Sequence, residues 1–239
     1  MNKNTIATVF SEKEKVNIGY IVAGYPSVDF TKSFLSNLDR TAIDILEIGI
    51  PYSDPLADGK LISQASFAAS QAGVTTDTVF DLLASVKDTI HKPLVFLVYY
   101  NLVFAYGVDA FLQKCAEVGI SGLIIPDLPY EEAQELVEKL RPHHIAFIPL
   151  VSVTSQGRIA SIASLGDGFV YAVGSLGVTG SKQVDLGRLE QFITDIKQHT
   201  TLPVALGFGI KTNNDVQTMR HYADGVIVGT SIVILTQNN

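Results

Sequence analysis

Eight short apolar runs punctuate the chain, at residues 18–23, 44–48, 94–99, 122–125, 145–150, 168–173, 203–206 and 225–228. Near-continuous hydrophobicity over four to eight residues is the pattern of a strand buried on both faces of a parallel sheet. Between the runs, segments 30–38, 79–90, 110–118, 131–140, 159–165, 186–196 and 216–222 carry apolar residues at three-to-four spacing, which predicts helices. Alternation of strand and helix predicts right-handed crossovers in one parallel sheet. Eight such units, uninterrupted by a charged linker or low-complexity break, predict a single (β/α)8 TIM-barrel domain over residues 1–239. A doubly wound open sheet is the competing arrangement.

In a barrel the chemistry gathers at the C-terminal ends of the strands, in the loops that follow them. Every residue therefore belongs to a top or a bottom face. None of the eight runs contains Lys, Arg or His, so a Schiff-base lysine at the barrel mouth is disfavoured. His91, His143, His144, His199 and His221 all fall between a helix and the next strand, on the bottom face. Histidine acid–base chemistry and a histidine metal site are disfavoured with them.

Glu47 is the one carboxylate inside a strand, in Asp44-Ile45-Leu46-Glu47-Ile48-Gly49. Side chains alternate along a strand. If Leu46 and Ile48 face the helices, Ile45, Glu47 and Gly49 face the lumen. A carboxylate there is poorly solvated, and its pKa is expected to rise. The loop that follows, residues 50–59, carries Asp54 and Asp58. Folded over the mouth, it would set a second carboxylate opposite Glu47, and two carboxylates in different environments can act as acid and base at one pH.

The last three strands run into glycine-rich turns: Gly174-Ser175-Leu176-Gly177-Val178-Thr179-Gly180, then Gly207-Phe208-Gly209, then Gly229-Thr230-Ser231 opening a short helix. Backbone N–H groups without a Cβ in the way cradle phosphate, and barrels often place a phosphate site after strands seven and eight. No Walker-type lysine motif is present, which argues against an NTPase.

Composition changes the picture only at the margins. The 239 residues are 47% hydrophobic and 17% charged, enough for a large core. A net charge of −7 gives no general attraction for nucleic acid. The lone Cys115 can form no internal disulfide and reads as a small core residue. No apolar run approaches the ~20 residues of a membrane span. The N-terminus does not read as a signal peptide, so a cytoplasmic, reducing setting is expected.

Together these residues resemble the tryptophan synthase α-subunit family. The resemblance rests on Leu46-Glu47-Ile48-Gly49-Ile50-Pro51-Tyr52-Ser53-Asp54-Pro55-Leu56-Ala57-Asp58-Gly59, followed in order by Tyr99-Tyr100-Asn101, Pro126-Asp127-Leu128-Pro129, Gly177-Val178-Thr179-Gly180 and Gly207-Phe208-Gly209. It spans residues 18–233 and implies a lyase that cleaves indole-3-glycerol phosphate to indole and glyceraldehyde 3-phosphate in tryptophan biosynthesis. By position it implies that Glu47 is the acid–base group, that Asp58 engages the indole N–H, and that Tyr171 contacts both. It places Thr179, Gly180, Gly209, Gly229 and Thr230 at the phosphate, and Tyr20, Leu97, Asp127 and Phe208 at the indole pocket. Residues 178–185 resemble a lid.

The resemblance implies no cofactor in this chain, and a pyridoxal-phosphate β subunit as partner in an αββα tetramer. Asp54, Pro55, Leu56, Asn101, Phe104 and Pro129 match positions near that interface. Two other functions stay open: a catalytically weak subunit that mainly activates the β partner, and a free-standing lyase that releases indole. Another phosphate-binding barrel would be expected to carry other charged groups at its strand ends.

The chain departs from the family at several points. Lys60 stands where proline is usual, Ser63 replaces a frequent glutamine, Thr230 replaces a serine and keeps the hydroxyl, and Gly19 stands where proline is frequent. Lys60, beside the active-site loop, is the departure that bears on loop closure. The final helix is expected to be shorter than the family's full eighth helix, exposing apolar surface and leaving the isolated subunit marginally stable.

Overall fold

The structure, a computed structural model, describes residues 5–237 except 56, 174–184, 208–209 and 211. In chain order the elements are α1 (Ile6–Glu12), β1 (Val16–Val22), α2 (Val28–Ser36), β2 (Ile45–Gly49), α3 (Lys60–Gln71), α4 (Thr76–Val86), β3 (Leu94–Leu97), α5 (Tyr100–Tyr106), α6 (Val108–Val118) and β4 (Ile120–Ile124). There follow α7 (Tyr130–Leu140), β5 (Ala146–Phe147), β6 (Leu150–Ser152), α8 (Ile159–Ser164), β7 (Val170–Val173), α9 (Leu186–His199), β8 (Val204–Gly207), α10 (Asn213–Arg220), β9 (Gly225–Val228) and α11 (Thr230–Thr236).

All strands pair in parallel in the order β5-β4-β3-β2-β1-β9-β8-β7-β6. The two ends of that order, β5 and β6, are halves of one apolar run separated by Ile148 and Pro149. The sheet therefore curls into a TIM-type barrel of eight staves, and each predicted run supplies one stave. The fifth stave is split for a local reason. Pro149 has no N–H for the rung toward β7, and that ladder starts at Leu150. On the other side Ile148 N donates to Leu123 O at 2.9 Å, after which Ile125 O accepts from Leu128 N within its own turn. The first stave begins earlier than its apolar run, because Val16 N already donates to Asp224 O at 2.9 Å.

Side chains sort by parity, as the strand period requires. Leu46 and Ile48 pack outward with the helices, in a cluster that includes Phe80, Phe96 and Phe111. Ile18, Ile45, Val95, Ile124, Phe169 and Ile227 fill the lumen. Among them lie Ile6 and Val9 of α1, with Phe10 against Phe169 at 5.6 Å between ring centroids. This seven-residue helix is a stopper in the lower end of the barrel, capped by Thr5, whose hydroxyl accepts from Thr8 N. The apolar pattern did not predict it, nor α3 and α5. Two of these are one or two turns long, and α3 buries only Ala65, Ser66 and Ala69, too small a stripe to stand out.

Four further helices start where the sequence supplies side-chain caps. Ser27 caps α2, Thr75 with Thr78 and Thr212 with Asp215 form capping boxes for α4 and α10, and Asp185 caps α9. Cys115 is fully buried in α6. The last helix, α11, is short and buries Val233 beneath α3 and against β1. Gly19 permits that approach: a Cβ there would lie 2.6 Å from Ile43 Cδ1 and 3.2 Å from Ile232 Cδ1. Among the described residues no helix is long and apolar enough to cross a membrane.

Candidate active site

A cavity of about 490 Å³ opens at the C-terminal end of the staves. Glu47, third residue of β2, reaches it from the lumen, directly beside Tyr20 of β1 in the strand register. Tyr171 of β7 reaches it from the opposite side, and Asp58 descends into it from the loop between β2 and α3. Leu97, at the end of β3, lines the wall, while Gly229 and Thr230 border it at the start of α11. Histidines are remote from this arrangement, since each lies at the end of a helix or between it and the next strand, at the lower end.

Glu47 is 1% exposed, and neither of its carboxylate oxygens has a hydrogen-bond partner among the described residues. An ionised carboxylate in that position would be uncompensated. Burial first, and the charge of Asp58 second, push its pKa up to about 8. Asp58 is raised less, to about 6. Burial raises it, and a hydrogen bond from the Tyr99 hydroxyl works the other way by favouring the ionised form. The two carboxyls therefore separate: around neutral pH Glu47 holds a proton and Asp58 does not. The phenols of Tyr20 and Tyr171 are pushed well above the usual tyrosine range by burial and by the neighbouring carboxylates. They stay neutral hydroxyls.

The loop that carries Asp58 is pinned at both ends. Tyr52 N donates to the buried Ser66 Oγ at 2.9 Å, and that hydroxyl donates back to Tyr52 O at 3.0 Å. Ala57 N donates to the Tyr99 hydroxyl at 2.9 Å. Ser63, the first-turn residue of α3 that replaces a glutamine, donates to Asp58 O at 3.2 Å. Lys60 is exposed at the start of α3, behind Gly59, which borders the cavity.

Two glycines make room for the tyrosines. A Cβ on Gly207 would lie 2.7 Å from the Tyr171 hydroxyl, and one on Gly49 would lie 2.9 Å from Tyr20 Cζ. The sequence reading did not single out Gly49 for this role, nor Tyr99 or Ser66 for theirs. Tyr99 shares strand parity with Leu97, and that was the available signal.

Other expected positions fall elsewhere. Asp127 does not border the cavity. Its carboxylate accepts from Tyr100 N at 2.8 Å and so satisfies the first turn of α5. Asp54, Asn101 and Pro129 are exposed, Pro55 is partly so, and the Phe104 ring is 68% exposed. These five sit after β2, β3 and β4, on the cavity end of the barrel. Leu56, Thr179, Gly180, Phe208 and Gly209, and the lid segment 178–184, lie outside the described residues. Among the described residues no group of three or more His, Cys, Asp or Glu side chains is arranged to hold a metal ion.

Residues 6–239 match the family model described as tryptophan synthase alpha chain. The chain is 46% identical over 222 residues to the tryptophan synthase alpha chain of Campylobacter jejuni subsp. doylei, covering 92% of this chain and 88% of the relative. It is 44% identical over 235 residues to that of Lacticaseibacillus casei, covering 98% and 88%. Among solved structures, tryptophan synthase subunit alpha from Campylobacter jejuni superposes with a TM-score of 0.88 at 45% identity, covering 95% and 91% of the two chains. A chain of Mycobacterium tuberculosis tryptophan synthase gives a TM-score of 0.90 at 32% identity, covering 99% and 92%.

Proposed function

This chain belongs to the tryptophan synthase alpha chain family, and from that membership we propose that it is a carbon–carbon lyase of tryptophan biosynthesis. The reaction is the retro-aldol cleavage of indole-3-glycerol phosphate to indole and glyceraldehyde 3-phosphate. The observation that carries the proposal is the pair of carboxyls on one cavity, Glu47 with unpaired oxygens and a pKa of about 8, Asp58 at about 6.

Such a pair suits the bond that must break. The Glu47 proton goes to the ring carbon that bears the glycerol chain, and the ring becomes cationic. Asp58, ionised, accepts a hydrogen bond from the indole N–H and stabilises that charge. Glu47, now a carboxylate, takes the proton of the side-chain hydroxyl next to the ring. The carbon–carbon bond breaks as the carbonyl forms, and its electron pair restores the neutral aromatic ring. Glu47 ends protonated as it began. Tyr171, partly buried on the same cavity and close to both carboxyls, contacts them in this reading. Proton transfer by positioned groups is worth roughly 10²–10⁴-fold.

Tyr20 and Leu97 flank the ring in this reading, with Phe208 completing the pocket, while Asp127 stands off the cavity and supports the start of α5. The phosphate is held by backbone N–H groups and the hydroxyl at Gly229 and Thr230, with Thr179, Gly180 and Gly209. Ser231 Oγ donates to Ile210 O at 3.0 Å, which ties the start of α11 to the loop after β8. Docking on a pyridoxal-phosphate β subunit in an αββα tetramer belongs to the same proposal. It is supported by the exposure of Phe104, Asp54, Asn101 and Pro129 at the cavity end.

The test is to incubate the chain with indole-3-glycerol phosphate and follow indole, with and without a β subunit, for the parent, Glu47→Gln and Asp58→Asn. Indole release that rises with the β subunit and collapses in both variants supports the proposal. Acceleration of the β reaction with no indole from the parent overturns it in favour of an activator.

A further inference from the structure

Tyr99 stands two residues beyond β3 at the start of α5, and it is 2% exposed. It does not line the cavity. Its hydroxyl nevertheless meets the active-site loop twice. The oxygen accepts from Ala57 N at 2.9 Å, and the hydroxyl neighbours the carboxylate of the next residue, Asp58, where it favours the ionised form. Its ring stacks on Tyr52, at the start of the same loop, with 5.0 Å between centroids and 29° between planes. One rigid side chain from the third stave therefore holds both the first and last parts of a loop that belongs to the second.

We propose that Tyr99 is a positioning residue for the lyase reaction, its hydroxyl acting as a two-way clamp that sets where Asp58 lies and keeps it a hydrogen-bond acceptor. The inference rests on the function proposed above for Asp58, and deepens it. The geometry has a built-in direction. A phenol has one proton, and with Ala57 N–H occupying the oxygen that proton is free for Asp58. The clamp is therefore satisfied when Asp58 is ionised, the form needed to accept the indole N–H.

Other groups bear on the same carboxylate. Glu47 faces it from β2, Tyr20 from β1 and Tyr171 from β7, and Asp127 lies close enough to act on Tyr99. Burial favours protonation of Asp58, and Tyr99 opposes it. Its substitution should shift Asp58 in one direction only.

The experiment follows the Asp58 carboxyl by carbon-13 NMR of aspartate-labelled protein, assigned with Asp58→Asn, in the full-length parent and in Tyr99→Phe. Tyr106→Phe, which loses a different tyrosine–aspartate bond to Asp77 far from the cavity, is the control. In Tyr99→Phe the Asp58 midpoint should rise by about one pH unit, and amide exchange at Ala57 should quicken. Indole release should lose on the order of 10- to 100-fold in kcat, with its acid limb moved to higher pH. Tyr106→Phe should change none of these. Because Tyr99→Phe can misfold, 3,5-difluorotyrosine placed at position 99 gives a second test. A more acidic phenol is a stronger donor, so the Asp58 midpoint should fall below the parent's. An unmoved midpoint in either protein overturns the inference. The titration needs no turnover, so a parent that releases no indole would sink the lyase proposal while leaving the clamp measurable.

Discussion

The Tyr20 phenol occupies the space in which a side chain on Gly49 would begin. A Cβ added to Gly49 would lie 2.9 Å from Tyr20 Cζ and 3.0 Å from Cε2. Gly49 ends the strand that bears Glu47, and its backbone is held in register against Val22 and Leu97, so the ring must move instead. Gly49→Ala is expected to push Tyr20 into the cavity. It should cost about 1–3 kcal/mol of stability by overpacking and raise KM for the indole substrate. Thermal melts of Gly49→Ala, Tyr20→Leu and the double variant check this. The double variant should recover part of the loss, and strict additivity would mean the two side chains do not compete.

The separation between the carboxyls predicts a bell-shaped profile. With Asp58 ionised above about 6 and Glu47 protonated below about 8, kcat/KM for indole release should rise through the first value and fall through the second. The two groups interact, so the limbs belong to the pair. A profile flat across that range would show that Glu47 does not act as the acid.

Burial of Glu47 also makes stability depend on pH. Its carboxyl is held near 8 in the fold against an ordinary value of 4.5. Between those values the folded chain keeps a proton that the unfolded chain has released, so stability falls as pH rises, and the loss is complete above about 8. Asp58 acts in the same direction from 3.8 to about 6. Glu47→Gln removes the larger effect. It should melt a few degrees above the parent at about pH 8.5 and match it at about pH 4.5, and calorimetry at the two pH values decides the matter.

The stopper helix should matter for stability and not for chemistry. Ile6 is 2% exposed within the luminal cluster. Ile6→Asp buries a charge there and opens a gap, at an expected cost of about 3–5 kcal/mol. Denaturant unfolding should show the loss, while KM measured well below the melting temperature stays at the parent's value.

Much of this was legible in the chain itself, for definite reasons. Fully buried strands leave unbroken apolar runs, so every stave could be read, and a carboxylate within one of them marks Glu47 unmistakably. The alternation around Leu46 and Ile48 was enough to aim it into the lumen. What escaped depends on contacts distant in sequence. Tyr99 ends an apolar run and looks like core until the loop of the neighbouring stave is laid against it. Ser66 is one small polar residue in an Ala/Ser-rich helix. Gly49 is needed only because Tyr20 lies beside it in the register. The break at Pro149 was hidden because apolarity continues on both sides of it, while the hydrogen-bond ladder does not.

That break has a mechanical consequence. Around most of the barrel, neighbouring staves are laced together by successive rungs. Between the fourth and the upper half of the fifth, the described ladder ends at Leu123 and Phe147, and a small hollow of about 130 Å³, lined by Pro126, Pro149 and Leu150 among others, takes its place. A closed cylinder yields along a seam where the lacing stops short. Breathing of this one would part the wall beside the reacting groups, while the plugged lower end stays shut.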